Sequence, residues 1–173
     1  MKTMLFLFFT FIQVIIGPKI SLFEYVNNTN YSNIQQFSPV VNTIKLAKKY
    51  GIEIYCETLL QEKETRLLGS YIPYLRHIVL YNVPELGRFS KLNEETLKHE
   101  LIHAMQHCKG NRERFIPLLN NAVLTRCVTL KNINVTFIKS FYSEEDLIIE
   151  LEAYCLEKLV SYKDINILLA MFC

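Results

Sequence analysis

The amino-acid sequence predicts an α+β fold, with a short mixed sheet packed on helices and a mostly helical C-terminal half. Two short segments rich in β-branched residues, 52–56 and 77–81, predict strands. Two longer amphipathic runs with capping residues, 93–110 and the segment after Ser143, predict helices. At 173 residues, the chain is long enough for one domain with a core and too short for two.

Charge and cysteine usage exclude two classes of function. The chain has 19 basic and 17 acidic residues without a dense basic cluster, so we do not expect nucleic acid as a partner. Its five cysteines form no Cys-x-x-Cys pair, which argues against a cysteine zinc cluster. Most of them are expected to be small buried hydrophobic residues, although a disulfide between some pair stays open.

The N-terminal end predicts a hydrophobic signal or anchor segment, residues 1–17. Its apolar run, 4–16, suits a signal peptide better than a spanning helix, which needs about 20 residues; a buried core helix is the alternative. The polar, Asn-rich segment 18–37 is a predicted linker, which leaves 38–173 as the folded domain. We therefore expect a membrane-associated or exported protein. The abundance of Ile, Lys and Asn is typical of an A/T-rich genome, such as that of a plastid or mitochondrion.

The N-terminal half of the predicted domain holds a helix, two strands and a second helix. Ser38 and Pro39 are suitable as the N-cap and first residue of a helix that Gly51 ends. The two strands follow, and Asn93 and Gly110 are the predicted N-cap and stop of the second helix.

The C-terminal half holds two more predicted helices. The first spans roughly 114–130, with a start that Pro117 makes uncertain, and 134–138 is predicted as a strand or an extended loop. A capping box at Ser143 opens a helix through about Tyr162, and 165–172 is an apolar tail.

The second helix carries His99, Glu100 and His103 in a His-Glu-x-x-His pattern. Residues four apart lie on one helix face, about 6 Å apart along the axis, so both histidines can bind one metal ion. Glu100 is offset by about 100° and can act as the general base on a water. Zn²⁺ would lower the pKa of the water bound to it and would polarise a peptide carbonyl.

An ordinary amphipathic surface helix is the alternative interpretation of this pattern. His99, Glu100 and His103 share a stripe opposite Leu97 and Leu101, as in any such helix. The His content favours the metal site, because three of the four histidines in the chain fall within nine residues of this helix.

A zinc site also needs a third protein ligand. In a regular helix His107 is about 12 Å from His99 along the axis, so we expect it beside the site rather than on the ion. Glu150 and Glu152 interrupt a later apolar helix, and only one of them can face the ion, because they are about 200° apart on it. A solvent-facing carboxylate is the alternative, more plausible for Glu152 than for Glu150.

The segment 96–104, together with Cys108, resembles the active-site helix of the mitochondrial inner-membrane metalloproteases that process an ATP synthase subunit and assist its assembly. Upstream, 69–73 resembles the Gly-aromatic-x-Pro motif of that family, and 78–80 resembles its apolar strand; the similarity spans roughly 56–108. The resemblance implies a minimal zincin-like fold. It also implies a third ligand in a Glu-x-x-Ala setting, which selects Glu150.

The resemblance further implies how a substrate would bind. In zincins the strand before the active-site helix forms a sheet edge that pairs with an extended peptide, a role that would fall to the backbone of Ile78, Val79, Leu80 and Tyr81. Tyr154 is a candidate for a position beside the ligands or for stabilising an oxyanion.

The sequence therefore predicts a zinc-dependent endopeptidase that acts on a protein or peptide substrate and meets a membrane through its N-terminal segment. One alternative is a zincin-like, membrane-associated assembly factor or binding protein without proteolytic activity. Another is a membrane-associated structural protein that binds no metal.

Overall fold

The computed structural model describes residues 20–21, 34–57, 68–81 and 91–173. The predicted hydrophobic segment 1–17 lies outside these ranges. Within them the chain is α+β, as predicted. Its strands are β1 (Ile20–Ser21), β2 (Glu53–Glu57), β3 (Gly69–Ile72) and β4 (His77–Tyr81). Its helices are α1 (Ile34–Lys49), α2 (Lys91–Lys109), α3 (Asn121–Leu130), α4 (Val135–Lys139), α5 (Glu144–Glu157) and α6 (Tyr162–Phe172).

The described strands form one mixed sheet in the order β1-β2-β4-β3. β4 runs parallel to β2 on one side and antiparallel to β3 on the other, so it is an inner strand. The prediction that the backbone of Ile78, Val79, Leu80 and Tyr81 pairs with a substrate is therefore wrong, because those backbone groups pair within the sheet. The predicted bounds of this strand, His77–Tyr81, are confirmed.

Helix α2 lies between the sheet and the C-terminal helices, contacting β3 and β4 on one side and α5 and α6 on the other. Leu97, Leu101, Ile102 and Met105 are fully buried in the main core. Close approach of β3 to α2 depends on Gly69, where a Cβ would lie 2.7 Å from Thr96 Cγ2. The missing side chain therefore sets the spacing between this strand and the helix.

Helix α1 begins at Ile34, upstream of the predicted start at Ser38, so Pro39 lies inside the helix. Its end is as predicted: Gly51 has a φ of 75°, which glycine adopts without strain. Arg76 donates to the carbonyls of Tyr50 at 2.7 Å and Gly51 at 3.0 Å, and so caps the helix from the β3–β4 turn. The predicted linker, 18–37, thus contains β1 and the first turn of α1.

The predicted helix over 114–130 begins later than expected, at Asn121. Pro117 has no backbone N–H and restricts the residue before it, which favours a loop there. The Asn120 side chain accepts a hydrogen bond from Val123 N at 3.0 Å and caps the helix.

Local capping also explains two wrong predictions further along the chain. Residues 134–138 are neither strand nor loop, because Asn134 accepts from Phe137 N at 3.0 Å and caps the short helix α4. The helix predicted from Ser143 through about Tyr162 ends at Glu157, and the predicted apolar tail is helix α6. A capping box formed by Ser161 and Asp164 starts α6.

Four of the five cysteines form two disulfides, Cys108–Cys173 and Cys127–Cys155. The expectation that most of the cysteines are unpaired hydrophobic residues is therefore wrong; only Cys56 is a free, buried thiol. None of the helices in the described ranges combines the length and hydropathy needed to cross a membrane.

Candidate metal centre

His99 and His103 lie one turn apart on α2, and their Nε2 atoms are 3.1 Å apart. The polar face of α2 is not solvated: His99, Glu100 and His103 are 7–9% exposed, and Gln106 is fully buried. The interpretation of α2 as an ordinary surface helix is therefore wrong. A buried polar face needs partners, and the partners come from α5.

Helix α5 places Glu150 against both histidines. Its Oε2 is 3.5 Å from His99 Nε2, and its Oε1 is 3.5 Å from His103 Nε2. The three ligand atoms lie within 4.8 Å of one another, so this group could hold a metal ion. Glu150 Oε2 is also buried and makes no hydrogen bond to any residue that the structure describes. An orphaned buried carboxylate oxygen beside two imidazole nitrogens is suited to a cation.

The far side of each imidazole is held by an acceptor. His99 Nδ1 is 2.9 Å from Glu157 Oε2, and His103 Nδ1 is 2.8 Å from Gln106 Oε1. An ionised carboxylate and an amide oxygen only accept, so each Nδ1 carries a proton and donates. Each Nε2 then faces the other histidine and Glu150. This is the tautomer in which Nε2 can bind a metal.

The charges around His99 favour a cation. Burial lowers the pKa of this imidazole, but its contacts with Glu150 and Glu157 and the charge of Glu100 outweigh burial and raise the pKa to about 10. At neutral pH the ring therefore also takes up a proton on Nε2, and a metal ion would have to displace that proton. Burial raises the pKa of Glu150, but its 3.5 Å contacts with the two histidines and their charges outweigh burial and lower the pKa to about 2. The Glu150 carboxylate is therefore ionised at neutral pH.

Glu100 lies beside the three candidate ligands but is not one of them. Burial raises the pKa of its carboxyl, and the charges of His99 and His103 act in the opposite direction. It accepts a hydrogen bond from the backbone of Tyr71 on β3. The carboxyl also borders a cavity of about 250 Å³, whose described lining is Leu68, Gly69, Leu92, Glu95, Thr96, His99, Glu100, Tyr142, Tyr154 and Glu157. A small molecule or an extended peptide segment could reach Glu100 and His99 from this cavity.

The structure distinguishes the two candidate acids on α5. Glu150 faces the histidines, whereas Glu152 faces away from them and is fully buried. Glu152 accepts hydrogen bonds from Leu118 N, Leu119 N and Gln106 Nε2. The alternative of a solvent-facing Glu152 is wrong, because its carboxylate accepts hydrogen bonds from backbone N–H groups inside the protein.

Two further predicted residues lie next to the group. His107 hydrogen bonds to Tyr71 Oη at 3.0 Å and packs on the ring of Phe115, away from Glu150. Tyr154 packs edge-on against His99, with ring centroids 4.7 Å apart, and lines the cavity. His107 thus contacts β3 from α2, whereas Tyr154 lies between His99 and the cavity.

Three residues near the ligands were not predicted from the sequence: Gln106, Glu157 and Tyr142. Tyr142 lines the cavity, and the nearby Glu150 carboxylate adds to the burial that raises the pKa of its phenol. Glu157 lies seven residues after Glu150, two helical turns on along the same face of α5, a spacing that could have identified it.

Comparisons with protein-family models, with curated proteins and with solved structures give no match. The resemblance to inner-membrane metalloproteases therefore stays a prediction. The function has to be inferred from the geometry of the site.

Proposed function

We propose that the chain is a zinc-dependent endopeptidase that hydrolyses peptide bonds with a metal-activated water. One observation carries the proposal: His99 Nε2, His103 Nε2 and the Glu150 carboxylate converge on one point, with Glu100 buried beside them at the cavity. In the proposed assignment His99, His103 and Glu150 bind zinc, and Glu100 is the general base.

The spacing of the three ligand atoms supports zinc. Atoms that each lie about 2.0–2.1 Å from a tetrahedral zinc are about 3.4 Å from one another. The observed separations are 3.1 Å between the two nitrogens and 3.5 Å from each nitrogen to its nearest Glu150 oxygen. Two imidazoles and one carboxylate also form a donor set that catalytic zinc sites use, with a fourth position open for water.

The position of Glu100 supports hydrolysis. When bound, zinc would lower the pKa of a water and polarise the peptide carbonyl. Glu100 would take the proton from that water and pass it to the leaving amine. Burial raises the pKa of Glu100, which makes its carboxylate a better proton acceptor.

Strand β3 is the best candidate for binding the peptide backbone. It is the outer strand of the described sheet on the α2 side, and it borders the cavity through Gly69. The backbone of Tyr71 on this strand reaches Glu100, so a peptide added alongside β3 would pass the general base. Tyr142 and Tyr154 line the cavity, and burial raises the pKa of both phenols, so either hydroxyl would be a candidate donor to the carbonyl oxygen.

The test is Glu100→Gln in the full chain. This variant keeps the shape of the side chain and all three ligands but loses the base, so we expect stoichiometric zinc and a loss of hydrolysis. A fall of at least about 10²-fold is expected for removal of a general base. The measurements are metal analysis of the purified protein and cleavage of an unfolded protein substrate, with Glu113→Gln, an exposed carboxylate, as the matched control.

Three results would contradict the proposal. A purified chain that binds no zinc would remove the metal site. Full activity in Glu100→Gln would remove the mechanism. Stoichiometric zinc without hydrolysis in the unmodified chain would favour the alternative, a metal-binding assembly factor without proteolytic activity.

A further inference from the structure

A buried polar chain leads from His103 away from the metal centre. Gln106 Oε1 accepts from His103 Nδ1 at 2.8 Å, and Gln106 Nε2 donates to Glu152 Oε2 at 2.7 Å and to Ile149 O at 3.0 Å. Gln106 and Glu152 are both fully buried. Gln106 and Glu152 are neither proposed zinc ligands nor part of the proposed chemistry.

The surroundings of Gln106 fix the orientation of its amide. Both groups near its nitrogen, Glu152 and the Ile149 carbonyl, are acceptors, so only the NH₂ end can point to them. The oxygen end must then face His103 and take the Nδ1 proton. A reversed amide would present a donor to Nδ1, which would favour a proton on Nε2, the nitrogen that faces Glu150.

Glu152 is itself fixed by backbone. Its carboxylate accepts from Leu118 N at 2.7 Å and from Leu119 N at 2.5 Å. The same segment is tied to α2 where Ile116 N donates to the Gln106 carbonyl at 3.0 Å. The carboxylate therefore occupies a rigid position between α2, α5 and the loop before α3, and it cannot turn away from Gln106 without leaving buried N–H groups unpaired.

We propose that Gln106 and Glu152 are positioning residues, which together keep His103 Nε2 free of a proton and directed at the metal. Glu152 sets the orientation of the amide, and the amide sets the tautomer of the histidine. This inference rests on the proposed metal site but not on proteolytic activity. It assigns a function to a buried acid that lies two residues from the ligand Glu150.

The test measures the zinc affinity of full-length chains by competition with a chromophoric chelator. Glu152→Gln is nearly isosteric, but its single amide oxygen cannot accept from Gln106 Nε2, Leu118 N and Leu119 N together, so it holds the Gln106 amide less firmly than the carboxylate does. We expect zinc to bind about 10–100-fold more weakly, the usual effect of losing a residue that orients a metal-binding histidine. Gln106→Met, which removes the acceptor altogether, should weaken binding by at least as much.

A direct measurement of the tautomer separates positioning from packing. In the full chain without metal, ¹⁵N NMR of the imidazoles should show the proton of His103 on Nδ1, where Gln106 Oε1 accepts it. Gln106→Met removes that acceptor and should move part of the proton population to Nε2. The control is Thr43→Val, which removes a buried hydroxyl and its 2.7 Å hydrogen bond to Asn166 Oδ1 but is on α1. This control should bind zinc like the unmodified chain.

The outcomes distinguish the two proposals. No zinc binding by the unmodified chain overturns the proposed function. Tight zinc binding by the unmodified chain with equal affinity in Glu152→Gln overturns the positioning inference alone. A Gln106→Met chain in which the proton of His103 stays on Nδ1, or a Thr43→Val chain that loses as much zinc affinity, also overturns it, because general destabilisation then explains the loss.

Discussion

At the scale of single residues, the two histidines have different partners: His99 donates to the Glu157 carboxylate at 2.9 Å and His103 to a neutral amide. A charged acceptor makes the imidazole a stronger ligand and holds its tautomer. We expect Glu157→Leu to weaken zinc binding about 10–100-fold and Glu157→Gln to weaken it less, since the amide still offers an acceptor. Isothermal titration with zinc measures both, with Glu145→Gln, exposed on the same helix, as the control. Equal affinity in all four proteins would show that Glu157 does not orient His99.

The sequence identifies those site residues whose positions depend on one helix. His99, Glu100 and His103 follow from the periodicity of α2, because a spacing of four places two side chains on one face. Glu150 needed the resemblance to a known family. Glu157 could have been found only after Glu150, from the spacing of seven residues along one face of α5. Gln106 acts across the contact between α2 and α5, and no local pattern distinguishes a buried glutamine from a solvated one before the helices pack.

At the scale of elements, the contact between β3 and α2 decides how closely the proposed peptide-binding strand approaches the metal centre. A Cβ at Gly69 would be 2.7 Å from Thr96 Cγ2 and 3.1 Å from the Val79 carbonyl oxygen. Gly69→Ala should therefore lower the free energy of unfolding by about 1–3 kcal/mol, as overpacking does. Adding Thr96→Ser removes Cγ2 and keeps the hydroxyl that donates to Leu92 O, so part of the loss should return.

Urea unfolding of the two variants and of Thr96→Ser alone measures this coupling. The double variant should be more stable than the sum of the two single changes predicts. Strict additivity would mean that Thr96 does not limit the approach of β3, and that the strand is spaced by other contacts.

Element boundaries were predictable where a local signal decides them and wrong where packing or a cap competes. The strand His77–Tyr81 and the glycine end of α1 follow from local composition. The cap at Asn134 overrode a β-branched run, and the capping box at Ser161 divided one predicted helix into two. The order of strands had no local signal. The inner position of β4 depends on which strands meet, and this is why the strand predicted to form the sheet edge is an inner strand.

At the scale of the whole molecule, the two disulfides connect the helices that carry the candidate metal ligands to other parts of the chain. Cys108–Cys173 ties the end of α2 to the residue after α6, and Cys127–Cys155 ties α3 to α5 between Glu152 and Glu157. Disulfides persist in oxidising compartments. Together with the hydrophobic segment at residues 1–17, they support our proposal that the protein is exported or held at a membrane with its domain in such a compartment.

The disulfides predict the thiol content and stability of the native protein. Denatured without reductant, the chain should show one reactive thiol, Cys56, and after reduction it should show all five. In the folded protein Cys56 should react slowly, because burial raises its pKa to about 12.

The loops closed by the two disulfides span separations of 65 and 28 residues, so removing either disulfide by paired Cys→Ala changes should lower the free energy of unfolding by about 3–5 kcal/mol. Thiol titration and urea unfolding measure these quantities. Five reactive thiols without reductant would contradict both the pairing and the proposed compartment, whereas loss of zinc binding on removing Cys127–Cys155 would show that this bond helps hold α5 against the two histidines.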